Sequence, residues 1–172
     1  TALNLSALGG GDILVIEKYR FPRYKCCAGY ITNKTKAAYE KLGLDIEGCN
    51  YSLIKDFNIF YKNKKRLNIT NKFLYTNRKI DRVELDDRFF ALAKSKGIDT
   101  VEGASVVSHD FGENKIVLSN GSEYYYDSLV FADGTAGFGS RYQKPKRRNI
   151  ALQMTFESDR SESIDIHFGV TK

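Results

Sequence analysis

Residues 9–17, Gly-Gly-Gly-Asp-Ile-Leu-Val-Ile-Glu, decide the fold class of this chain. Residues 1–8, which precede them, are good helix formers, and the glycines would end a helix. The apolar run that follows ends in Glu17, a pattern typical of a parallel strand covered on both faces. Because such a strand pairs with a strand that precedes the helix, we expect an α/β fold whose first strand lies before Thr1.

A second apolar run with an acidic end, Asp127-Ser-Leu-Val-Phe-Ala-Asp-Gly134, has the same character. Both runs would be buried on two faces, as the strands of a parallel sheet are. We therefore predict that residues 12–17 and 128–133 are parallel strands of one sheet.

Two helices are predicted between these runs. Asn33 is a candidate cap for a short helix that ends at Gly43. Asp81, with Glu84 three residues later, resembles a capping box, and the apolar residues that follow recur at helical spacing. This pattern predicts an amphipathic helix that ends before Gly97.

Strand patterns occupy most of the remaining sequence. In residues 53–75 apolar and polar residues alternate on both sides of a polar turn at 62–65, which predicts a β-hairpin. Residues 149–156 and 164–168 alternate again and would open a second, sheet-based domain. Further short strands, with a tight turn at Asn120-Gly121, are predicted at residues 99–102, 104–109, 115–118 and 123–126.

The composition restricts the class of protein. The 172 residues are 42% hydrophobic and 28% charged, which excludes a disordered tail or a collagen-like repeat because a core can form. No apolar run approaches the roughly 18 residues of a membrane span and no signal peptide is evident, so we expect a soluble cytoplasmic protein without a transmembrane segment. The net charge of +6 suits an anionic partner such as a nucleotide but is too small to predict nucleic-acid binding.

The three cysteines, Cys26, Cys27 and Cys49, make an odd number, which predicts reduced thiols rather than a disulfide framework. The two histidines, His109 and His167, lie far from the cysteines in sequence, and no Cys-x-x-Cys pair occurs. We therefore expect no metal site.

Four segments together resemble one protein family. Residues 17–29 read Glu-Lys-Tyr-Arg-Phe-Pro-Arg-Tyr-Lys-Cys-Cys-Ala-Gly, and residues 77–86 read Asn-Arg-Lys-Ile-Asp-Arg-Val-Glu-Leu-Asp. Residues 97–106 read Gly-Ile-Asp-Thr-Val-Glu-Gly-Ala-Ser-Val, and residues 129–134 read Leu-Val-Phe-Ala-Asp-Gly. In this order they are similar to the flavoprotein oxidoreductases of the geranylgeranyl reductase family, which belong to a broad hydroxylase and reductase superfamily.

The resemblance implies an α/β protein with an incomplete Rossmann-like FAD-binding domain, a β-hairpin insertion and the start of a β-rich substrate domain. The FAD-binding domain would comprise residues 1–50 and 77–142, with the hairpin at 51–76 directed toward the substrate domain. A basic connector at 143–148 would lead to residues 149–172, the start of the substrate domain.

The resemblance also assigns roles to individual residues. Glu17 would bind the adenosine ribose, and Cys27 would lie near the isoalloxazine as the candidate catalytic residue. Asp133 and Gly134 would brace the ribose and the pyrophosphate. The other implied cofactor-binding positions are Lys18, Arg23, Lys25, Ala28, Gly29, Arg82 and Val106.

Several of these positions also have a purely structural interpretation. Arg82 could be an ordinary first-turn residue of a helix, and Asp133-Gly134 could be a strand-ending turn. Cys26 and Cys27 could be small, half-buried residues of a loop. Ala28 stands where the family has a glycine and Cys26 adds a thiol, so this loop departs from the family pattern.

The resemblance implies an FAD-dependent oxidoreductase that transfers a hydride to a C=C bond of a small hydrophobic substrate, with NAD(P)H as a candidate electron donor. A flavin-dependent monooxygenase or halogenase-like enzyme is the alternative. From a different class, the chain could be a non-catalytic binding module. The family's Gly-x-Gly-x-x-Gly turn, which binds the pyrophosphate, would precede Thr1, and its Gly-Asp box would follow Lys172, so the chain by itself is expected to be inactive.

Overall fold

A computed structural model of the chain describes residues 1–49, 51–77, 82–142, 152–154 and 163–169. Within these residues the strands form a two-stranded, a four-stranded and a three-stranded sheet. The elements are, in chain order, α1 (Ala2–Ala7), β1 (Leu14–Glu17), β2 (Tyr30–Thr32), α2 (Asn33–Lys41), β3 (Tyr51–Tyr61), β4 (Lys64–Asn77), α3 (Arg82–Ser95), β5 (Asp99–Glu102), β6 (Val106–Asp110), β7 (Lys115–Leu118), β8 (Glu123–Tyr125), a 3₁₀ helix (Phe138–Arg141) and β9 (Ser163–Phe168).

The two-stranded sheet is parallel. β1 and β5 pair along their whole length, so that Glu17 lies opposite Glu102. After α1 the chain turns at Gly9, which has a left-handed φ of 74°. The helix predicted in residues 1–8 and the parallel strand predicted in residues 12–17 are therefore confirmed, and Glu17 lies at the carboxyl end of β1.

The strand predicted at residues 128–133 is wrong. These residues are not in a strand, and β1 pairs with β5 instead. Val130 and Phe131 are exposed rather than buried on two faces. A strand needs a hydrogen-bonded neighbour as well as an apolar run, and no strand in the described part of the chain pairs with this segment. The apolar pattern indicated a tendency to be buried but did not identify a pairing partner.

The four-stranded sheet has the order β2-β4-β3-β9. β3 and β4 form the predicted hairpin, and Lys62 and Asn63 at its tip have positive φ values of 47° and 59°, which suit a two-residue hairpin turn. β9 pairs with β3 in parallel, and the side-chain amide of Asn58 donates to Asp165 (Nδ2–Oδ1 2.7 Å). The hairpin and the strand predicted at 164–168 therefore share one sheet.

The three-stranded sheet is an antiparallel meander of β6, β7 and β8. Its second turn lies at Asn120-Gly121 as predicted, whereas the strand predicted at 104–109 begins only at Val106. Ile16 of β1 packs against a buried cluster in this region, formed by Ala104, Ile116 and Leu118. The meander is thereby packed against the parallel sheet.

Thr32, rather than Asn33, caps α2. The Oγ1 of Thr32 accepts the backbone N–H of Thr35 (3.2 Å), and Asn33 is the first helical residue. The predicted cap was one residue late because both residue types are favoured at this position. Gly43, with a φ of 88°, follows the end of the helix as predicted.

The helix predicted before Gly97 is confirmed as α3, while its predicted cap, Asp81, lies outside the described residues. The helix contributes Leu85 to a second buried cluster, which also contains Ile31, Leu44, Ile46 and Cys49. Burial raises the pKa of the Cys49 thiol. All three cysteines are free thiols, as the sequence predicts.

The basic connector at 143–148 and most of the strand predicted at 149–156 also lie outside the described residues. Residues 152–154 are described, and they are not in a strand, so the prediction is wrong there. Leu152 and Met154 are almost fully exposed. An alternation of apolar and polar residues does not by itself provide a neighbouring strand. In the ranges that the structure covers, no helix combines the length and the apolar character needed to cross a bilayer, and no cluster of His, Cys, Asp and Glu could hold a metal ion.

Glu102, at the carboxyl end of β5, connects three elements. Its Oε2 accepts the backbone N–H of Phe21 (2.8 Å), and its Oε1 accepts a hydrogen bond from Lys94 Nζ of α3 (2.6 Å). The Lys94 hydrogen bond and then the Phe21 N–H hold the pKa of Glu102 below its ordinary value of 4.5.

Because the pKa of Glu102 is lowered in the folded state, its contribution to stability is present at neutral pH and is lost as the pH falls below 4.5. We expect Glu102→Gln to lower the urea midpoint at about pH 7 and to have a smaller effect at a pH low enough to protonate the native carboxyl. Glu113→Gln, at an exposed position, serves as the control and should leave both midpoints unchanged. Equal losses at the two pH values would contradict this role of Glu102.

Candidate functional site

Glu17 forms an ion pair with Arg23 at the carboxyl end of β1. The Oε2 of Glu17 accepts hydrogen bonds from Arg23 Nε (3.0 Å) and Nη2 (2.8 Å), and its Oε1 accepts the backbone N–H of Tyr19 (3.1 Å). The side chains of Arg23 and Glu17 are only 15% and 19% exposed. Charge-assisted hydrogen bonds of this kind are stronger than neutral ones and fix the geometry of both groups.

Asp86 of α3 accepts hydrogen bonds from two arginines. Its Oδ1 accepts from Arg82 Nε (2.6 Å), and its Oδ2 accepts from Arg23 Nη1 (3.4 Å). Arg23 therefore connects Glu17 to Asp86, and Asp86 connects Arg23 to Arg82. We call Glu17, Arg23, Arg82 and Asp86 the charged cluster; its two positive and two negative charges balance.

Cys27 lies near the charged cluster, and its interaction with Arg82 is among the causes that raise the pKa of that guanidinium. The backbone N–H of Gly29 also donates to Cys27 Sγ (3.5 Å), and Gly29 is buried with a φ of 74°, which favours glycine. Burial disfavours the charged form of Arg82, but hydrogen bonding and attraction to Asp86, and then to Cys27, outweigh it and raise the pKa of Arg82. The guanidinium is therefore charged, and its Nε points toward Asp86.

The loop after β1 is held by contacts that its sequence supplies. The ring of Phe21 stacks on Phe90 of α3 (centroids 4.5 Å apart, planes at 25°), and its N–H binds Glu102. The guanidinium carbon of Arg23 lies 4.9 Å from the centroid of the Phe21 ring. This stacking presents Arg23 to both carboxylates at once.

The structure brings together four of the residues that the resemblance assigns to a cofactor site: Glu17, Arg23, Cys27 and Arg82. Other predicted residues lie elsewhere. Lys18 and Lys25 are exposed, and the Nζ of Lys18 lies over the ring of Tyr19 (4.7 Å). Ala28 is also exposed, whereas Val106 packs against the meander's buried cluster.

Asp133 and Gly134 lie in a separate closed loop. The Oδ2 of Asp133 accepts the backbone N–H of Gly139 (2.7 Å), which belongs to the 3₁₀ helix. Gly134 has a φ of 77°, and a Cβ on Gly137 would clash with the side chain of Asp133. The Asp133 carboxylate therefore stabilises the loop that contains it.

The sequence analysis includes Asp86 and Glu102 in two of the family-like segments but assigns no role to either residue. The spacing of Arg82 and Asp86, four residues apart on one helix, is the available signal for their contact. Arg23 and Asp86 are 63 positions apart, and no local pattern relates them. Their contact depends on how α3 packs beside the loop after β1.

No protein-family model matches the chain. An uncharacterized protein of Methanosarcina barkeri is 32% identical over 133 residues, which cover 76% of this chain and 33% of that protein. A menaquinone reductase of Mycolicibacterium smegmatis is 28% identical over 142 residues, which cover 75% of this chain and 33% of that protein. The chain thus spans about a third of the length of these curated relatives.

Solved structures share the fold. A mutant of PqsL of Pseudomonas aeruginosa, which is a probable FAD-dependent monooxygenase, matches with a TM-score of 0.66 and 14% identity over 87% of this chain and 44% of its own. The tetrameric form of 2-methyl-3-hydroxypyridine-5-carboxylic acid oxygenase matches with a TM-score of 0.62 and 21% identity over 79% of this chain and 36% of its own. The chain therefore has the fold of part of these oxygenases.

The charged cluster generates a prediction about stability. Arg23→Gln would leave the carboxylates of Glu17 and Asp86 without their shared cation in a largely buried position. We expect the free energy of unfolding to fall by about 3 kcal/mol, the order of magnitude found when one partner of a buried ion pair is removed. Urea unfolding measures the change, and Arg66→Gln, at an exposed position in the hairpin, is the control. A loss no larger than that of Arg66→Gln would mean that Arg23 does not hold the region together.

Proposed function

We propose that the protein is an FAD-dependent oxidoreductase and that the charged cluster lies along its bound cofactor. The observation that carries this proposal is that Glu17, Arg23, Cys27 and Arg82, from two distant segments, meet at the carboxyl end of a parallel strand. Ligands in open α/β folds bind at this end of the strands, and an acidic residue there binds a ribose hydroxyl. The shared fold with the two oxygenases supports the proposal.

The Glu17 carboxylate fits this role. A carboxylate can accept about four hydrogen bonds, and Glu17 accepts three within the protein. Its side chain is 19% exposed, so a hydroxyl donor can reach it from outside. Arg23 fixes the carboxylate in orientation, which reduces the entropy that ribose binding would cost.

Other residues of the chain would serve the cofactor in different ways. Bound FAD would supply the redox chemistry, and the protein would supply binding, orientation and electrostatics. Arg82 would face the cofactor with its charge held in place by Asp86. Cys27, whose Sγ accepts the Gly29 N–H, would present its thiol to the isoalloxazine. Val106 and Asp133-Gly134 would contribute through the backbone, at the adenine and at the ribose and pyrophosphate.

For the reaction, we propose hydride transfer to a C=C bond of a small hydrophobic substrate, as in the geranylgeranyl reductase family, with NAD(P)H as a candidate donor. The similarity to a menaquinone reductase supports a reductase with a hydrophobic substrate. The fold shared with PqsL and the pyridine carboxylic acid oxygenase favours the second candidate, a flavin-dependent monooxygenase. A non-catalytic binding module is the third candidate, and it would retain no redox-active flavin.

Glu17→Gln in the natural polypeptide tests the cofactor site. We expect it to weaken FAD binding by about 1.5–3 kcal/mol, or tenfold and more, because a hydrogen bond from the ribose to a charged acceptor is lost. The measurement is flavin fluorescence during titration with FAD. Glu113→Gln provides a matched control at an exposed position. If both variants bind FAD as the native protein does, Glu17 does not bind the ribose.

The reaction class is tested by reducing the flavin with dithionite under anaerobic conditions. In a reductase, the reduced flavin would be reoxidised when geranylgeraniol or menaquinone is added without oxygen, because the substrate accepts the hydride. In a monooxygenase, the flavin would stay reduced under these anaerobic conditions. With oxygen and NAD(P)H present, the enzyme would consume oxygen. The absorbance of the flavin follows the first reaction, and an oxygen electrode follows the second. Oxygen consumption without anaerobic reoxidation would overturn the reductase proposal.

A further inference from the structure

Positive charge is concentrated at the turn of the hairpin formed by β3 and β4. Residues 61–67 read Tyr-Lys-Asn-Lys-Lys-Arg-Leu, and all of them are exposed. The four cations of this stretch are Lys62, Lys64, Lys65 and Arg66. Within the described residues, none of the four forms an ion pair with an acidic side chain. This part of the protein therefore leaves their charges open to an anionic partner.

Exposed apolar side chains lie on one face of the sheet beside this turn. Tyr61 of β3 lies opposite Lys64 of β4 and Phe168 of β9, and residues opposite each other on neighbouring strands share a face. The backbone N–H of Lys62 donates to the carbonyl oxygen of Phe168 (3.0 Å), which holds the end of β9 next to the turn. Leu67 lies opposite the residue two positions before Tyr61, so it belongs to the same face. Tyr61, Leu67 and Phe168 are 46%, 47% and 53% exposed.

We call residues 61–67 and Phe168 the hairpin tip. The nearest acidic residue of β9, Asp165, lies three register positions from Phe168, and its carboxylate accepts the side-chain amide of Asn58. The hairpin tip thus combines four cations with three half-exposed apolar side chains and contains no acidic residue. A grouped set of exposed apolar side chains on a protein surface marks an interaction site.

A membrane surface complements both properties of the hairpin tip. Anionic lipid headgroups attract cations that lie close to the bilayer. The carbon chains of lysine and the ring of tyrosine can enter the boundary of the acyl chains while their polar ends stay in water. A nucleic acid would also attract the cations and could stack its bases on the rings, but it offers no comparable partner for the aliphatic Leu67. A bilayer therefore accounts for more of this surface.

We propose that the hairpin tip is a docking surface for an anionic lipid bilayer. Tyr61, Leu67 and Phe168 enter the boundary between headgroups and acyl chains, and the four cations contact lipid phosphates. Binding of this kind is peripheral and reversible. The inference goes beyond the proposed function and does not depend on it, because none of the proposed cofactor-binding residues belongs to the hairpin tip.

The test measures how the natural polypeptide sediments with sucrose-loaded vesicles. The vesicles consist of phosphatidylcholine alone or with about 30% phosphatidylglycerol, in about 0.1 M salt. We expect binding to the anionic vesicles and at least roughly tenfold weaker binding to the neutral ones. Raising the salt to about 0.5 M should weaken binding to the anionic vesicles, because salt screens the attraction.

A double variant tests the cations. Lys64→Gln together with Lys65→Gln should weaken binding to the anionic vesicles about twentyfold, since one cation near such a surface accounts for about a fivefold change. The matched control is Lys34→Gln together with Lys41→Gln, at two exposed positions of α2. It changes the net charge by the same amount but leaves the hairpin tip intact, so binding should change by no more than about twofold.

The apolar side chains are tested separately. Tyr61→Ser should weaken vesicle binding about fivefold, and the loss should persist at about 0.5 M salt because it does not depend on charge. Leu67→Ser should act in the same direction. Tyr125→Ser, at an exposed position of β8, is the control and should bind as the native protein does. Urea unfolding verifies that each variant is as stable as the native protein.

The proposal is overturned if the native protein does not bind anionic vesicles, or if the hairpin-tip variants lose no more binding than their controls. Oligonucleotide binding that depends on Lys64 and Lys65, without vesicle binding, would assign the surface to a nucleic acid. Resistance of these lysines to acetic anhydride in the natural polypeptide, without vesicle binding, would mean that another segment of the polypeptide covers the hairpin tip. Either result would refute membrane docking. Titration with FAD is a separate measurement, so a failure of flavin binding would refute the proposed function and leave the vesicle result standing.

Discussion

Arg23 connects two parts of the molecule that are far apart in sequence. Its guanidinium binds Glu17, at the end of β1, through Nε and Nη2, and reaches Asp86 of α3 through Nη1. The contact with the Phe21 ring keeps the side chain extended between the two carboxylates. Since two anions would repel each other in a largely buried position, the approach of α3 to the end of β1 depends on this cation.

The Arg23 guanidinium also joins the side chains that are proposed to bind the cofactor. Glu17 is oriented by Arg23, and Arg82 is oriented by Asp86, so groups proposed for opposite parts of a cofactor belong to one hydrogen-bonded network. The charges of the network cancel, which makes its burial tolerable without a bound ligand. Because the side chains of this site are already ordered, less conformational entropy is lost when a ligand binds.

The sequence predicted the elements that depend on local patterns. The apolar run before Glu17, the helical spacing after Arg82 and the Asn120-Gly121 turn each identified their element, because helix periodicity, strand burial and turn geometry are properties of neighbouring residues. Pairing was not predictable in this way. Residues 128–133 have the composition of a buried strand, yet β1 pairs with residues 99–102. Likewise, Glu17 and Arg82 followed from a resemblance, whereas the contact between Asp86 and Arg23 is evident only from the packing of α3 against the loop after β1.

The most direct measurement is an experimental structure of the natural polypeptide with FAD bound. The account predicts that a hydroxyl of the adenosine ribose lies within hydrogen-bond distance of the Glu17 carboxylate, with Arg23 still bridging Glu17 and Asp86. It also predicts that Cys27 and Arg82 lie on the isoalloxazine side of the same cofactor. An FAD molecule bound away from the carboxyl end of β1, or a Glu17 carboxylate without contact to the cofactor, would contradict it.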